Sequence, residues 1–170
     1  IRRDHDDYLA LYVGNYILGG NFAARLMTTV RDEKGLTYHI GSSLSGVSTR
    51  YTGFFKTTVT LSHDRLEEGI EATEDVIRSF VADGATPDEL AEKKETLTGS
   101  STVGLAQTKR LAQTLLINAE RGFGVDYLDT YLDRIDALTL KDVNEAVATY
   151  LRPDALHVAA AGTRPEVVTV

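Results

Sequence analysis

The spacing of apolar side chains changes period twice along this chain, and that change limits the fold more than any single motif. Over residues 7–18, Tyr8, Leu11, Tyr12, Asn15 and Tyr16 recur at helical intervals, with Leu9, Val13 and Ile17 widening the apolar face. Over 37–44 and 52–61 the period becomes two, in stretches rich in Thr, Tyr, Phe, Ile and Val. There Phe55, Thr57, Val59 and Leu61 fall on one face of a strand, and the residues around Gly46 turn the two strands into a hairpin. From residue 62 onward the helical period returns. A helix over 22–33 precedes the strands. Helices over 64–82, 86–98, 106–120, 125–138 and 139–151 follow them, with a break at 99–104. Thr86-Pro87-Asp88-Glu89 is a capping box with proline in the first turn, and Thr139 with Asp142 repeats it with a shorter acid. Residues 156–161 read as a short closing strand. Strands gathered in one block and helices in another argue α+β with an antiparallel sheet, not a doubly wound α/β fold.

A chain of 170 residues is the size of one domain. Residues 1–170 are therefore read as a single unit. Three strands are few for so many helices, so an opening strand is expected upstream of Ile1. The chain has no cysteine. That excludes a disulfide scaffold, a cysteine nucleophile and a thiolate metal site. Eighteen basic and 25 acidic residues leave a net charge of −7, a poor balance for a general binder of nucleic acid. The longest apolar runs are far shorter than the ~20 residues of a membrane-spanning helix, so no such segment is expected.

The motifs narrow the chemistry. His5, His39, His63 and His157 stand far apart, and neither H-E-x-x-H nor H-x-x-E-H occurs. No metal site is therefore expected within the chain. G-x-S-x-G is absent, and Gly19-Gly20 lacks the further glycines or lysine of a phosphate loop, so it reads as a tight turn with glycine at positive φ. Residues 64–95 carry 11 acids against four bases, which reads as a solvated helix face. The most informative stretch is residues 18–42, LGGNFAARLMTTVRDEKGLTYHIGS. Arg31 lies in the last turn of a helix, the chain reverses at Gly35, and Tyr38 opens a strand, so both residues stand at one rim. A guanidinium there offers a fork for a carbonyl or carboxylate. A phenol can donate one hydrogen bond to a developing oxyanion. The plainer alternative is that Arg31 pairs with a neighbouring acid and Tyr38 packs as a strand aromatic.

This stretch resembles the zinc-free half of the pitrilysin/insulinase family of zinc metallopeptidases, the inverzincins. The family pattern runs roughly L-G-G-x-x-x-S-R-L-x-x-x-[VLI]-R-[ED]-x-x-G-L-x-Y. Leu18, Gly19, Gly20, Arg25, Leu26, Val30, Arg31, Asp32, Gly35, Leu36 and Tyr38 match it, with Ala24 where the pattern has serine. The later order of elements is also similar. The resemblance implies a mainly antiparallel sheet with helices on one face. It implies a homologous zinc-bearing domain or subunit as partner, with zinc bound there and none here. By the same resemblance Arg31 grips a peptide substrate, Tyr38 stabilises the tetrahedral oxyanion, and Gly19, Gly20 and Gly35 form the turns that place them. The chain alone is expected to be inactive. Two other roles fit the resemblance: an inactive structural or interaction subunit, and a module that holds peptides without cleaving them. The compartment is not legible; in a bacterium the resemblance suits a soluble protein of the cytoplasm or periplasm.

Overall fold

In the computed structural model, which describes residues 1–162, α1 (Tyr8–Leu18) is the central element. Tyr8, Leu9, Ala10, Leu11, Val13, Ile17 and Leu18 are all buried, so the broad apolar face expected of this helix is covered on nearly every side. Each such large side chain contributes roughly 1.5–3 kcal/mol of burial. A helix follows over residues 25–33, and its body, α2 (Met27–Glu33), is π-wound. The strands β1 (Thr37–Ser45) and β2 (Phe54–Leu61) pair antiparallel. Beyond a short 3₁₀ turn come α3 (Leu66–Asp83), α4 (Pro87–Leu105), α5 (Thr108–Glu120), α6 (Tyr127–Ala137) and α7 (Leu140–Tyr150). Residues 163–170 of the expected unit lie outside the described residues.

The architecture is α+β. Burial along β2 alternates strictly, with Phe55, Thr57, Val59 and Leu61 half-buried and Phe54, Lys56, Thr58 and Thr60 exposed. Their partners on the inner face are Leu44, Ser42 and Ile40 of β1, which α1 and α2 cover from one side. α7 packs on the other flank of α1, where a Cβ at Gly14 would collide with Val147. Both capping boxes form: the Thr86 and Thr139 hydroxyls accept from the Glu89 and Asp142 amides, and the carboxylates bond back.

Four expectations are corrected. The second helix starts at residue 25, not 22, because the Asn21 side chain accepts the Ala23 amide and donates to the Tyr16 carbonyl, holding a turn there. The expected break at 99–104 does not occur. The glycines sit inside α4, and the Ser100 and Thr102 hydroxyls bond back to the carbonyls of Leu97 and Thr98 without leaving the helix. Residues 156–161 form no strand; they have no ladder partner among the described residues and are largely exposed. Finally, Gly19 and Gly20 are not at positive φ. Their constraint is space: a Cβ on Gly19 would lie 2.5 Å from Ser42 Oγ, and one on Gly20 would lie 2.8 Å from Tyr16 Cα. The Gly19 carbonyl accepts the Ser42 amide at 2.8 Å, so the turn is clamped against β1.

Candidate functional site

The site is assembled from two local departures from regular geometry, one in α2 and one in β1. Across Met27–Glu33 the i→i+5 winding persists to the end of the helix. The Lys34 amide bonds to Thr29 O, five residues back, at 3.1 Å, and beyond the helix the Leu36 amide bonds to Val30 O, six residues back, at 3.0 Å. Short π segments inside helices are frequent at functional positions. Gly35 then takes φ +62°, a conformation that disfavours any side chain, and its amide bonds to the Arg31 carbonyl at 3.0 Å. Arg65 reaches back to the Gly35 carbonyl at 3.4 Å. The chain thus turns from helix to strand in one fixed step.

The second departure is a bulge at the start of β1. Thr37 pairs with Leu61 and Ile40 with Val59, so three steps on β1 match two on β2. The surplus residue falls at Tyr38–His39, and both side chains are exposed in succession where a flat strand would bury one. Thr37 holds the bulge. Its buried hydroxyl accepts the His39 amide at 3.1 Å and also lies within bonding distance of the Thr60 and His39 carbonyls. Bulges commonly re-aim a side chain beside a site. Tyr38 is 93% exposed, the most solvent-open large hydrophobic side chain described.

Arg31 and Tyr38 are therefore both placed at the rim between helix and sheet, as the spacing predicts. They are not joined: no hydrogen bond connects them among the described residues. The Arg31 guanidinium, on a side chain 33% exposed, donates to Asp32 at 2.7 Å and lies 4.9 Å from the ring centre of Phe22. Phe22 is itself exposed. Cation–π stacking and an exposed ion pair each contribute about 1 kcal/mol or less, so Arg31 is oriented but not consumed by its neighbours.

Sequence reasoning missed Thr37, and it took Arg25 only as a motif match. Arg25 forms a bidentate pair with Glu89, at 2.6 and 2.7 Å, donates to the Gly84 carbonyl at 2.9 Å, and stacks 4.9 Å from Phe80. It ties the start of α2 to the N-terminus of α4. The Arg25 guanidinium, followed by the capping contacts from Thr86, pulls the Glu89 carboxyl down to about 2 against the cost of burial. Only half of a signal was available: Glu89 is recognisable as a capping-box acid, but nothing local to it points to Arg25, 64 residues away.

Among the described residues no three His, Asp or Glu side chains come together to hold a metal ion, and no helix is long and apolar enough to cross a membrane. The donor set of a zinc centre does not fit this part of the molecule.

A family model described as the peptidase M16 inactive domain matches residues 2–97. The non-peptidase homolog YmxG of Helicobacter pylori is 25% identical over 137 residues, 79% of this chain and 31% of that protein. The uncharacterized zinc protease YmxG of Bacillus subtilis is 28% identical over 150 residues, 82% of this chain and 34% of that protein. The chain thus spans about a third of the length of these curated relatives. A crystal structure of a peptidase M16 inactive domain from Pseudomonas fluorescens superposes with TM-score 0.80 at 31% identity, covering 91% of this chain and 36% of that one. With over half of its residues matched by the family model, and its fold shared with such a domain, the chain belongs to the peptidase M16 family as an inactive domain.

Proposed function

We propose that this domain supplies substrate contacts to a peptidase centre whose zinc is held by a second, homologous domain or subunit. Arg31 holds a backbone carbonyl of the peptide, and Tyr38 donates its phenolic proton to the oxyanion that grows on the scissile carbonyl. Both contacts strengthen as negative charge develops, which is the condition for accelerating the chemical step. The observation that carries this reading is Tyr38, lifted into solvent by a bulge that Thr37 stabilises, directly beyond the turn that ends Arg31's helix. A strand aromatic without a task would be expected to pack against the sheet. The test is kinetic, on the full enzyme with its zinc-bearing part. Tyr38→Phe and Arg31→Ala are each expected to lower kcat by about 10²-fold, the usual scale for one oxyanion donor. The 170-residue chain alone, with zinc added, is expected to hydrolyse no peptide; turnover by it would sink the proposal.

A second reading has one observation in its favour. Arg31 already has Asp32 as its partner, as it would in an inactive scaffold or interaction subunit. Unchanged kinetics in both variants would select it.

A further inference from the structure

The described residues include a cleft of about 480 Å³ between α1, α4, α5 and α6 that contains neither Arg31 nor Tyr38. Its chemistry is unusual for this chain. Tyr12, Tyr16, Tyr127 and Tyr131 form aromatic walls, with the Tyr12 and Tyr16 rings stacked at 6.5 Å and those of Tyr127 and Tyr131 tilted at 5.9 Å. Arg3, Arg110 and Arg121 also line it, and no carboxylate does, although the chain as a whole carries −7. None of these three arginines has an acidic partner within 4.0 Å among the described residues.

Two buried polar atoms at the cleft are left without a partner. Tyr127 is over nine-tenths buried, and its hydroxyl has no hydrogen bond. The Nε of Arg3 is buried and likewise unsatisfied, while its Nη1 donates to Tyr8. A buried polar group left unpaired costs about 1–3 kcal/mol, and one with a charge costs more, so such atoms call for a ligand or solvent. Burial, followed by repulsion from Arg3, pushes the Arg121 guanidinium down from its ordinary range. An anion placed between the two would relieve that repulsion.

We propose that this cleft binds a small anionic molecule with a flat aromatic body, its anionic group held by Arg3, Arg110 and Arg121 and its ring lodged among the tyrosines. A bare anion would leave the aromatic walls wetted. A neutral ring would leave three guanidiniums without a counter-charge. The cleft is also of ordinary ligand size. The anion can be a phosphate or a carboxylate, and the experiment separates them.

The protein is titrated calorimetrically with AMP, with 4-hydroxyphenylacetate, and with the half-ligands inorganic phosphate, acetate and adenosine. At least one of the two whole ligands is expected to bind about tenfold or more tightly than its own halves, and to weaken as salt is raised. Which one does so identifies the anion. Arg110→Gln and Arg121→Gln should each weaken it about tenfold or more, the scale of one lost charge-assisted hydrogen bond. Arg110 is exposed, so its variant tests the site without threatening the fold. Arg78→Gln, at an exposed residue already paired with Glu74 and Asp75, should leave binding unchanged. Binding by neither whole ligand overturns the proposal. So does a half-ligand that binds equally well, or an affinity indifferent to Arg110 and Arg121. The inference is independent of the peptidase reading, since none of its readouts is activity.

Discussion

The helical segment over residues 25–33 has an arginine near each end, and the two have opposite surroundings. Arg25 spends its guanidinium on structure: Nε and Nη2 both donate to Glu89, Nη2 also donates to the Gly84 carbonyl, and the face lies on buried Phe80. Arg31 has one acidic neighbour adjacent in sequence and one exposed aromatic under it, and the rest of its fork is uncommitted. The winding differs too. Residues 25–26 are α-helical, and the π turn carries Arg31. One end of the helix is bolted to the core and the other is presented. In the proposed site, rigidity would come from the bolted end and chemistry from the presented end.

The largest effect should come from breaking the bolt. Arg25→Ala removes a bidentate pair and strands Glu89 partly buried without its cation, so stability is expected to fall by about 2–4 kcal/mol in urea titration. Arg31→Ala should cost about 0.5 kcal/mol or less by the same measurement. Equal losses would erase the distinction between the two ends. Acid probes the same bolt. Glu89 titrates near 2 when folded, below the ordinary carboxylate value of 4.5. Its contribution is therefore fully present above about pH 4.5 and is lost as pH falls toward 2. Glu89→Gln should flatten the stability profile between those values and leave it flat in the Arg25→Ala background.

The next effect is at the turn between the presented arginine and the tyrosine. Gly35 has φ +62°, and a Cβ there would meet nothing within 4 Å. The penalty for Gly35→Ala is therefore purely conformational, about 1–2 kcal/mol, and Gly35→Asn should recover part of it, since Asn tolerates this conformation better. If Ala and Asn cost the same, the turn is held by contacts and not by its backbone angle.

Sequence made the regular parts of the molecule legible. The α1 stripe, the alternation along β2 and both capping boxes follow from spacing and cap chemistry, which are local. The rim placement of Arg31 and Tyr38 was legible for the same reason, since seven residues with one glycine turn leave little freedom. What sequence could not show were the non-local contacts. Glu89 lies 64 residues from Arg25, and nothing in either neighbourhood requires the pairing. The fit of Gly19 against Ser42 looks, in sequence, like a positive-φ glycine. The uninterrupted α4 runs through both of its glycines, with Leu90, Lys93, Leu97 and Gly104 buried along it, and residues 156–161 show an apolar run that has no strand partner among the described residues. The bulge was hidden as well, because register depends on the opposite strand.

That bulge gives the smallest and most specific test. The Thr37 hydroxyl is buried, accepts the His39 amide and lies beside the Thr60 carbonyl, so one side chain satisfies the backbone that the surplus residue leaves unpaired. Thr37→Val keeps the shape and deletes the hydroxyl. It should cost about 1 kcal/mol, the net scale of such a hydrogen bond, and speed hydrogen exchange at the His39 amide. Thr37→Ser should restore both. If Tyr38 depends on the bulge for its exposure, Thr37→Val should also lower kcat in the full enzyme more than it raises KM, with Ser again rescuing. A loss of stability without that kinetic signature would mean that the bulge serves the sheet alone, and that the presented end of the rim extends no further than Arg31.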